Sequence, residues 1–367
     1  MLTFLVAAAL LGLAVAAVAT FVSWAKRHSV EPAVASAPMG PAWVGRVLPQ
    51  DPARAFIAAT VIAALLGVAL VLLGILGTTR GLYGWTLFVV APFAMGFVAA
   101  ALTTYRQPPT LWRFTCAGTL AALAAGLAFL GLGLEGVVCL LMAVPITVPC
   151  SVVGAMAAYL VYAQRRVRTT ALGMIVCLVP LGLIVEPGIV GTPPESTVRT
   201  SIDINAPPSA VWSHLVEFDP IAAPLDSWFF RAGVAYPISA RLMGGHGAGA
   251  TRVCDFSTGR FIETVRVWEE AQRLMFTVES GPPVLREWTP YTDVHPPHLQ
   301  GYVVPETADF TLVPLPGGGT RLLGTSVYRN RMWPSQYWRL WSDAIVTRVH
   351  RRVFQNIKQL AERDQRG

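Results

Sequence analysis

The hydrophobic pattern changes character about halfway along the chain. Six runs are almost wholly apolar, at about 2–24, 55–77, 82–104, 113–134, 137–163 and 170–187. A helix needs roughly 20 consecutive apolar residues to cross a bilayer core. In lipid the backbone must also satisfy its own hydrogen bonds. The pattern therefore predicts a bundle of six membrane-spanning helices over residues 1–190. A Pro/Gly stretch, "GIVGTPPEST", then leaves the last run, and residues 191–197 read as a linker.

From residue 198 the period shortens. In "VRTSIDINAPPSAVWSHLVEFDPI" (198–221), Val198, Ile202 and Ile204 mark a strand. Asn205 then reads as an N-cap, with Pro207 and Pro208 in the first helical turn. Val211, Trp212, Leu215 and Val216 form the apolar stripe of a short helix, and a second short helix begins in "FDPIAAPLDSWFF". Six strand-like runs follow: "AYPISARLM", "ATRVCDFSTG", "RFIETVRVWEEA", "RLMFTVES", "TADFTLVPL" and "TRLLGTSVYRN". Turn signals such as "GGHGAG" and "LPGGGT" punctuate them. Strands with no helices between them imply an antiparallel sheet. The last thirty or so residues repeat apolar positions at Trp338, Trp341, Ile345, Val349, Val353, Ile357 and Leu360, which predicts one long amphipathic helix. The fold class is thus a membrane α-helical bundle followed by an α+β domain, residues 198–364, with a curved antiparallel sheet gripping a long C-terminal helix.

That element order, with "IDINAPPSAVWSHLVEF", "GRFIETVRVWEEAQRLMFTV" and "GGGTRLLGTSVYRN", resembles the START-like (SRPBCC) superfamily of helix-grip domains, also called the polyketide cyclase/dehydrase and lipid-transport group. The resemblance covers about residues 196–363, and the membrane bundle is an addition to the minimal form. It implies a deep, mostly apolar cavity between sheet and long helix, the kind of concave site that takes a hydrophobic ligand. Candidate wall residues are Trp338, Trp341, Ile345, Val349, Phe276, Phe310 and Tyr328. Members of such a group share a cavity and not a catalytic motif, so the resemblance speaks for fold before activity.

Composition sharpens the division. The 367 residues are 54% hydrophobic and 13% charged, against about 25% charged in ordinary soluble domains. The net charge of +7 arises mostly in the first half, where Lys26, Arg27, Arg46, Arg54, Arg80, Arg106, Arg113, Arg165, Arg166 and Arg168 face only Glu31, Asp51, Glu135 and Glu186. These bases cluster after the first, third and fifth apolar runs, and the alternate loops hold only Arg80. The positive-inside rule makes those loops cytoplasmic. The N-terminus and the C-terminal domain then lie outside the cytoplasm, as in a bacterial-type inner membrane protein. The first run lacks a basic n-region and is followed by "WAKRHS", so it reads as an anchor rather than a cleaved signal. No basic patch with interleaved aromatics supports nucleic-acid binding. The helix centres hold no ionisable residue, and Glu186 sits at the outer end of the sixth run, within reach of water. Pro92, Pro145, Pro149 and Pro180 suit kinks in an anchoring bundle.

Candidate chemistry in the second half is sparse. The five cysteines show neither CxxC nor Cys/His ligand spacing, and no serine elbow or phosphate-cradling glycine motif is present. His246, in the mobile "GGHGAG", offers a general base at a cavity mouth, though a solvated hairpin histidine is the plainer reading. Glu263 offers an inward carboxylate of raised pKa, against the plainer outward glutamate. Asp293, His295 and His298 raise the thought of a metal, but prolines between the histidines favour a rigid loop. Arg348, Arg351, Arg352 and Lys358 enrich the polar side of the last helix and suit either solvent or anionic head groups. No residue set demands a cofactor or metal. The expected function is membrane-tethered binding, or transfer, of a hydrophobic small molecule or lipid. The alternatives are a cyclase/dehydrase-like enzyme and a non-catalytic sensor or assembly module with a protein partner.

Overall fold

A computed structural model describes residues 41–77, 83–108, 110–163, 169–189, 191–291, 296–299 and 301–366. The first apolar run, with Lys26 and Arg27, lies outside the described residues, as do Arg80, Arg165, Arg166 and Arg168. The chain divides into two compact units. One comprises residues up to Gly191 with Thr289–Val294, the other Thr192–Trp288 and His295–Gly367.

The first unit is helical. A short helix α1 (Ala42–Val47) precedes α2 (Pro52–Gly77), α3 (Ala91–Thr103), α4 (Leu111–Gly131), α5 (Val137–Ala163) and α6 (Thr169–Ile189). Five helices among the described residues are long and apolar enough to cross a membrane: Pro52–Leu73, Thr86–Thr103, Leu111–Gly131, Val137–Tyr162 and Ala171–Ile189. Local chemistry sets their ends. The Asp51 carboxylate accepts from the Arg54 amide (2.8 Å) at the start of α2, and the Thr110 hydroxyl accepts from the Arg113 amide at the start of α4. A π turn, Thr86–Val90, leads into α3 just before Pro92, whose ring nitrogen has no proton to give to the Phe88 carbonyl. Helices α3 and α5 cross closely because Gly96 has no side chain. A Cβ there would lie 1.8 Å from the Ser151 carbonyl oxygen.

Glu186 corrects the sequence reading. It does not reach out to water but is buried in the unit. Its carboxylate accepts the Thr86 amide (2.9 Å) and the Trp85 amide, the free N–H groups at the start of the π turn. A carboxylate at a helix N-terminus satisfies orphan donors and the helix dipole together.

The second unit has the helix-grip architecture. Its elements are β1 (Glu195–Ile204), α7 (Pro208–Val216), α8 (Trp228–Arg231), β2 (Pro237–Met243), β3 (Thr251–Phe256), β4 (Gly259–Glu269), β5 (Arg273–Ser280), β6 (Val303–Pro314), β7 (Thr320–Asn330) and the 30-residue α9 (Ser335–Asp364). All seven strands form one antiparallel sheet in the order β1-β7-β6-β5-β4-β3-β2. Bulges interrupt β2, β4, β5 and β6, and a bulged strand bends. The predicted cap at Asn205 is displaced. Pro207 is the N-cap residue and Pro208 opens α7, while the Asn205 amide donates to Glu362 on α9.

Helix α9 lies on the β1 and β7 side of the sheet and against α7. The core between them gathers Ile204, Leu215, Leu274, Phe310, Leu322 and Ile357, with Phe354 projecting from α9 into the ring cluster of Phe276 and Phe310. Gly324 on β7 makes room for that ring, since a Cβ there would lie 2.4 Å from Phe354 Cζ.

The antiparallel register sorts the connections into two ends. One end carries the start of β1, the start of α9, α8 and the segments after β5 and β7. The other carries α7, the hairpin containing His246 and the C-terminus of α9.

Candidate functional site

The inner face of the sheet carries the chemistry. The β3–β4 hairpin turns through Ser257 and Thr258, which sets Phe256 opposite Gly259 and therefore Arg252 opposite Glu263. Both point inward and are buried. Arg252 Nη1 donates to Glu263 Oε2 at 2.5 Å, Nε donates to the Val216 carbonyl at 3.1 Å, and the guanidinium lies 5.0 Å from the centre of the Phe276 ring. Burial raises the Glu263 carboxyl above the usual carboxylate range, and Arg252 opposes that rise. Burial works to lower Arg252, but Glu263 and Cys254 together outweigh it, so the guanidinium stays charged. Beside the pair, burial pushes the Cys254 thiol up to about 12, so it is no nucleophile at neutral pH. Glu263 is thus the inward carboxylate and not the surface one.

The candidate wall residues fall into two groups. Phe276, Phe310, Tyr328 and Trp338 are buried. Phe276 and Phe310 pack with tilted rings 5.7 Å between centres, and the Tyr328 hydroxyl donates to Asp343 Oδ1 at 2.6 Å. Trp341, Ile345 and Val349 are only half-buried. Their placement is informative. Seen down α9 at 3.6 residues per turn, the buried Arg352 and Phe354 bound an arc of roughly 200° that also holds Trp338, Ser342, His350, Asn356 and Ile357. Ile345, Val349 and Val353 lie inside that arc and are half-buried, Val353 packed against the core. Along the inner face of β5, Leu274 and Phe276 are buried and Val278 is half-buried. Val278 is the β5 partner of Glu263. The ion pair therefore sits beside the half-buried Val278, one step along the inner face from the buried Phe276.

Polar residues of α9 occupy the buried positions that apolar ones leave. His350 is held between the Thr200 hydroxyl (2.7 Å to Nδ1) and the Ser326 hydroxyl (2.8 Å to Nε2), stacked on Phe354 at 5.7 Å. Burial pushes its imidazole down to about 4, so it is neutral. Arg352, read from the sequence as a solvated base, is buried instead. Its guanidinium donates to the carbonyls of Ile221, Ala223, Pro224 and Pro237 and fastens the segment before β2 to the helix. Lys358 donates to the Asp203 carbonyl at 2.7 Å. A polar cleft of about 90 Å³, lined by Pro194, Ser196, Asn330, Ser335, Gln336 and Arg339, has room for water-sized molecules.

The two weak catalytic candidates do not meet. His246 is exposed and stands against Trp268 at 5.8 Å. Trp268 is five residues along β4 from Glu263, roughly 16 Å at 3.3 Å per residue. His298 is buried in the short turn Pro297–Leu299. Asp293 and His295 lie outside the described residues.

The sequence signals for these residues were uneven. Arg252 was findable, because the "STG" turn fixes the hairpin register and with it the partner of Glu263. His350 and Arg352 carried no signal, since polar residues on an amphipathic helix read as its wet side.

No protein-family model and no curated protein matches the sequence. Among solved structures, a protein from Nitrosospira multiformis is 18% identical, with 47% of this chain covering 100% of that one at a TM-score of 0.31. A norcoclaurine synthase point mutant from Thalictrum flavum, solved with a transition-state analogue, is 11% identical over 48% of this chain and 99% of its own, with a TM-score of 0.32. A protein from Mesorhizobium loti is 17% identical over 46% and 98%, with a TM-score of 0.29. Likeness at this level says nothing about ligand or reaction.

Proposed function

We propose that this protein is a membrane-anchored binder of a hydrophobic small molecule or lipid, and that the ligand lies between the sheet and α9. One observation carries the reading: Ile345 and Val349 lie on the sheet-facing arc of α9 yet are only half-buried, while His350 and Arg352 of the same helix are buried. An apolar surface that is turned inward and left accessible is what an exchangeable apolar ligand would cover. The Arg252–Glu263 pair supplies the polar group that orients such a ligand. Phe276, Phe310 and Phe354 already fill the end beyond it, which limits how far a ligand enters.

The five long apolar helices support the anchor. The basic loops after the third and fifth apolar runs support a C-terminal unit outside the cytoplasm. A C-terminal reporter is expected to be active only on that side.

The ligand reading is tested on the full chain in nanodiscs of one synthetic phospholipid. Molecules retained from the host membrane are extracted and identified by mass spectrometry. Wild type is expected to retain a stoichiometric apolar molecule that the I345W/V349W variant loses. Identical extracts from the two, with the variant folded, would overturn the reading.

A further inference from the structure

We propose that the end of the second unit that carries the start of β1 is a lipid-contacting surface, with Trp228 and Trp288 seated in the head-group layer of a bilayer. This rests on the membrane anchor of the proposed function and not on its ligand.

The argument starts from where the tryptophans are. The second unit has seven: Trp212, Trp228, Trp268, Trp288, Trp333, Trp338 and Trp341. Trp212 and Trp268 belong to the far end, where their rings pack edge to face at 5.2 Å. The other five lie at the end where β1 begins. Trp228 and Trp288 are 41% and 55% exposed there. They stand on neighbouring segments, since the Arg286 amide donates to the Gly233 carbonyl (2.9 Å) and Ala235 donates to Val284 (3.0 Å). Two exposed indoles on one end of a small unit cost solubility unless something covers them.

The chain itself says what covers them. Helix α6 ends at Ile189 and β1 begins at Glu195. The residues between span at most about 20 Å fully extended, so this end cannot leave the neighbourhood of the bilayer that holds α6. Indoles partition to the membrane–water interface, where the ring is half in hydrocarbon and the N–H is wet. Charge does not drive the contact. Arg231 and Arg286 are matched on the same segments by Asp226 and Glu287, so a zwitterionic lipid should serve as well as an anionic one.

The test uses the full chain labelled with 5-fluorotryptophan in bicelles, with ¹⁹F resonances assigned by W212F, W228F, W268F and W288F. Gadolinium is presented in two ways, as a chelate on a lipid head group and as a free chelate in water. Lipid-fixed gadolinium should broaden Trp228 and Trp288 several-fold more than Trp212 and Trp268, and about as much as Trp85 and Trp112 of the bundle. Replacing part of the lipid with an anionic one should change nothing. Two results would overturn the proposal: a lipid-fixed chelate that broadens the bundle but not Trp228 and Trp288, with the free chelate broadening them if the surface is solvated and leaving them sharp if it faces protein, or broadening that appears only with anionic lipid. A chamber ligand does not enter this readout, so failure here leaves the ligand reading standing.

Discussion

Breaking the Arg252–Glu263 pair from one side should cost far more than removing it whole. The two side chains are 5% and 8% exposed and share a charged hydrogen bond. In E263Q the guanidinium stays buried against Val216 and Phe276 without its counter-charge, a loss of about 3–5 kcal/mol. In R252M the orphan is the carboxylate, which can take up a proton. Burial already raises its pKa, so in R252M the folded state binds that proton more tightly than the unfolded chain does. The R252M deficit should therefore be smallest below about 4.5, the ordinary value for the carboxyl, and grow as pH rises. In R252M/E263M neither charge remains, and stability should return to wild type or above it. The assay is thermal unfolding of the full chain in nanodiscs, followed by tryptophan fluorescence. At about 2–4 °C per kcal/mol for a unit of this size, E263Q should melt about 6–20 °C below wild type. If E263Q and the double variant both melt at the wild-type temperature, water reaches the pair and the account of a dry, charged floor is wrong.

Two further outcomes follow from buried polar groups on α9. His350 titrates at about 4 in the folded chain against 6.5 when free. Its contribution is complete above 6.5 and is lost as pH falls toward 4, about 3 kcal/mol at 1.36 kcal/mol per pH unit. The melting temperature of wild type should fall across that window, and H350Q should flatten the fall. A wild-type slope unchanged in H350Q would show that other groups carry it. Arg352→Lys should loosen the segment before β2, because an ammonium cannot reproduce a planar fork that serves four carbonyls. Hydrogen exchange of residues 219–236 should quicken about tenfold or more, for a loss of about 1.4 kcal/mol or more; protection equal to wild type would refute the anchoring role.

Much of the fold was legible because two periods differ so plainly. All seven strands and the long helix lie where alternation and the three-to-four step put them, and five described helices match the apolar runs. The errors share a cause. Glu186, Glu263 and Arg352, and His350 of which the pattern says nothing, are polar residues inside apolar surroundings, each buried because a partner elsewhere in the chain satisfies it. A pattern of hydropathy holds no record of such partners. Glu186 meets amides 100 and 101 residues away, and His350 meets a hydroxyl 150 residues away. Only Glu263 has a partner close enough, 11 residues off across one tight hairpin, for the sequence to have shown it.

The same polar residues bear on function. Full burial of a Val or Ile side chain is worth about 1.5–3 kcal/mol, so leaving Ile345 and Val349 half-covered forgoes about 1 kcal/mol apiece. A helix selected only to close the core would turn those two onto the sheet and keep histidine and arginine wet. Here the arrangement is reversed, and the hydrogen bonds of His350 and Arg352 hold it so. They fix the angle of α9 about its axis by bonds that a rotated helix would break, and that angle keeps Ile345 and Val349 on the sheet-facing arc. Tight apolar packing would have favoured collapse onto any space beneath the helix. Directional polar contacts set the rotation of α9 instead, the arrangement that the proposed exchange of an apolar ligand would require.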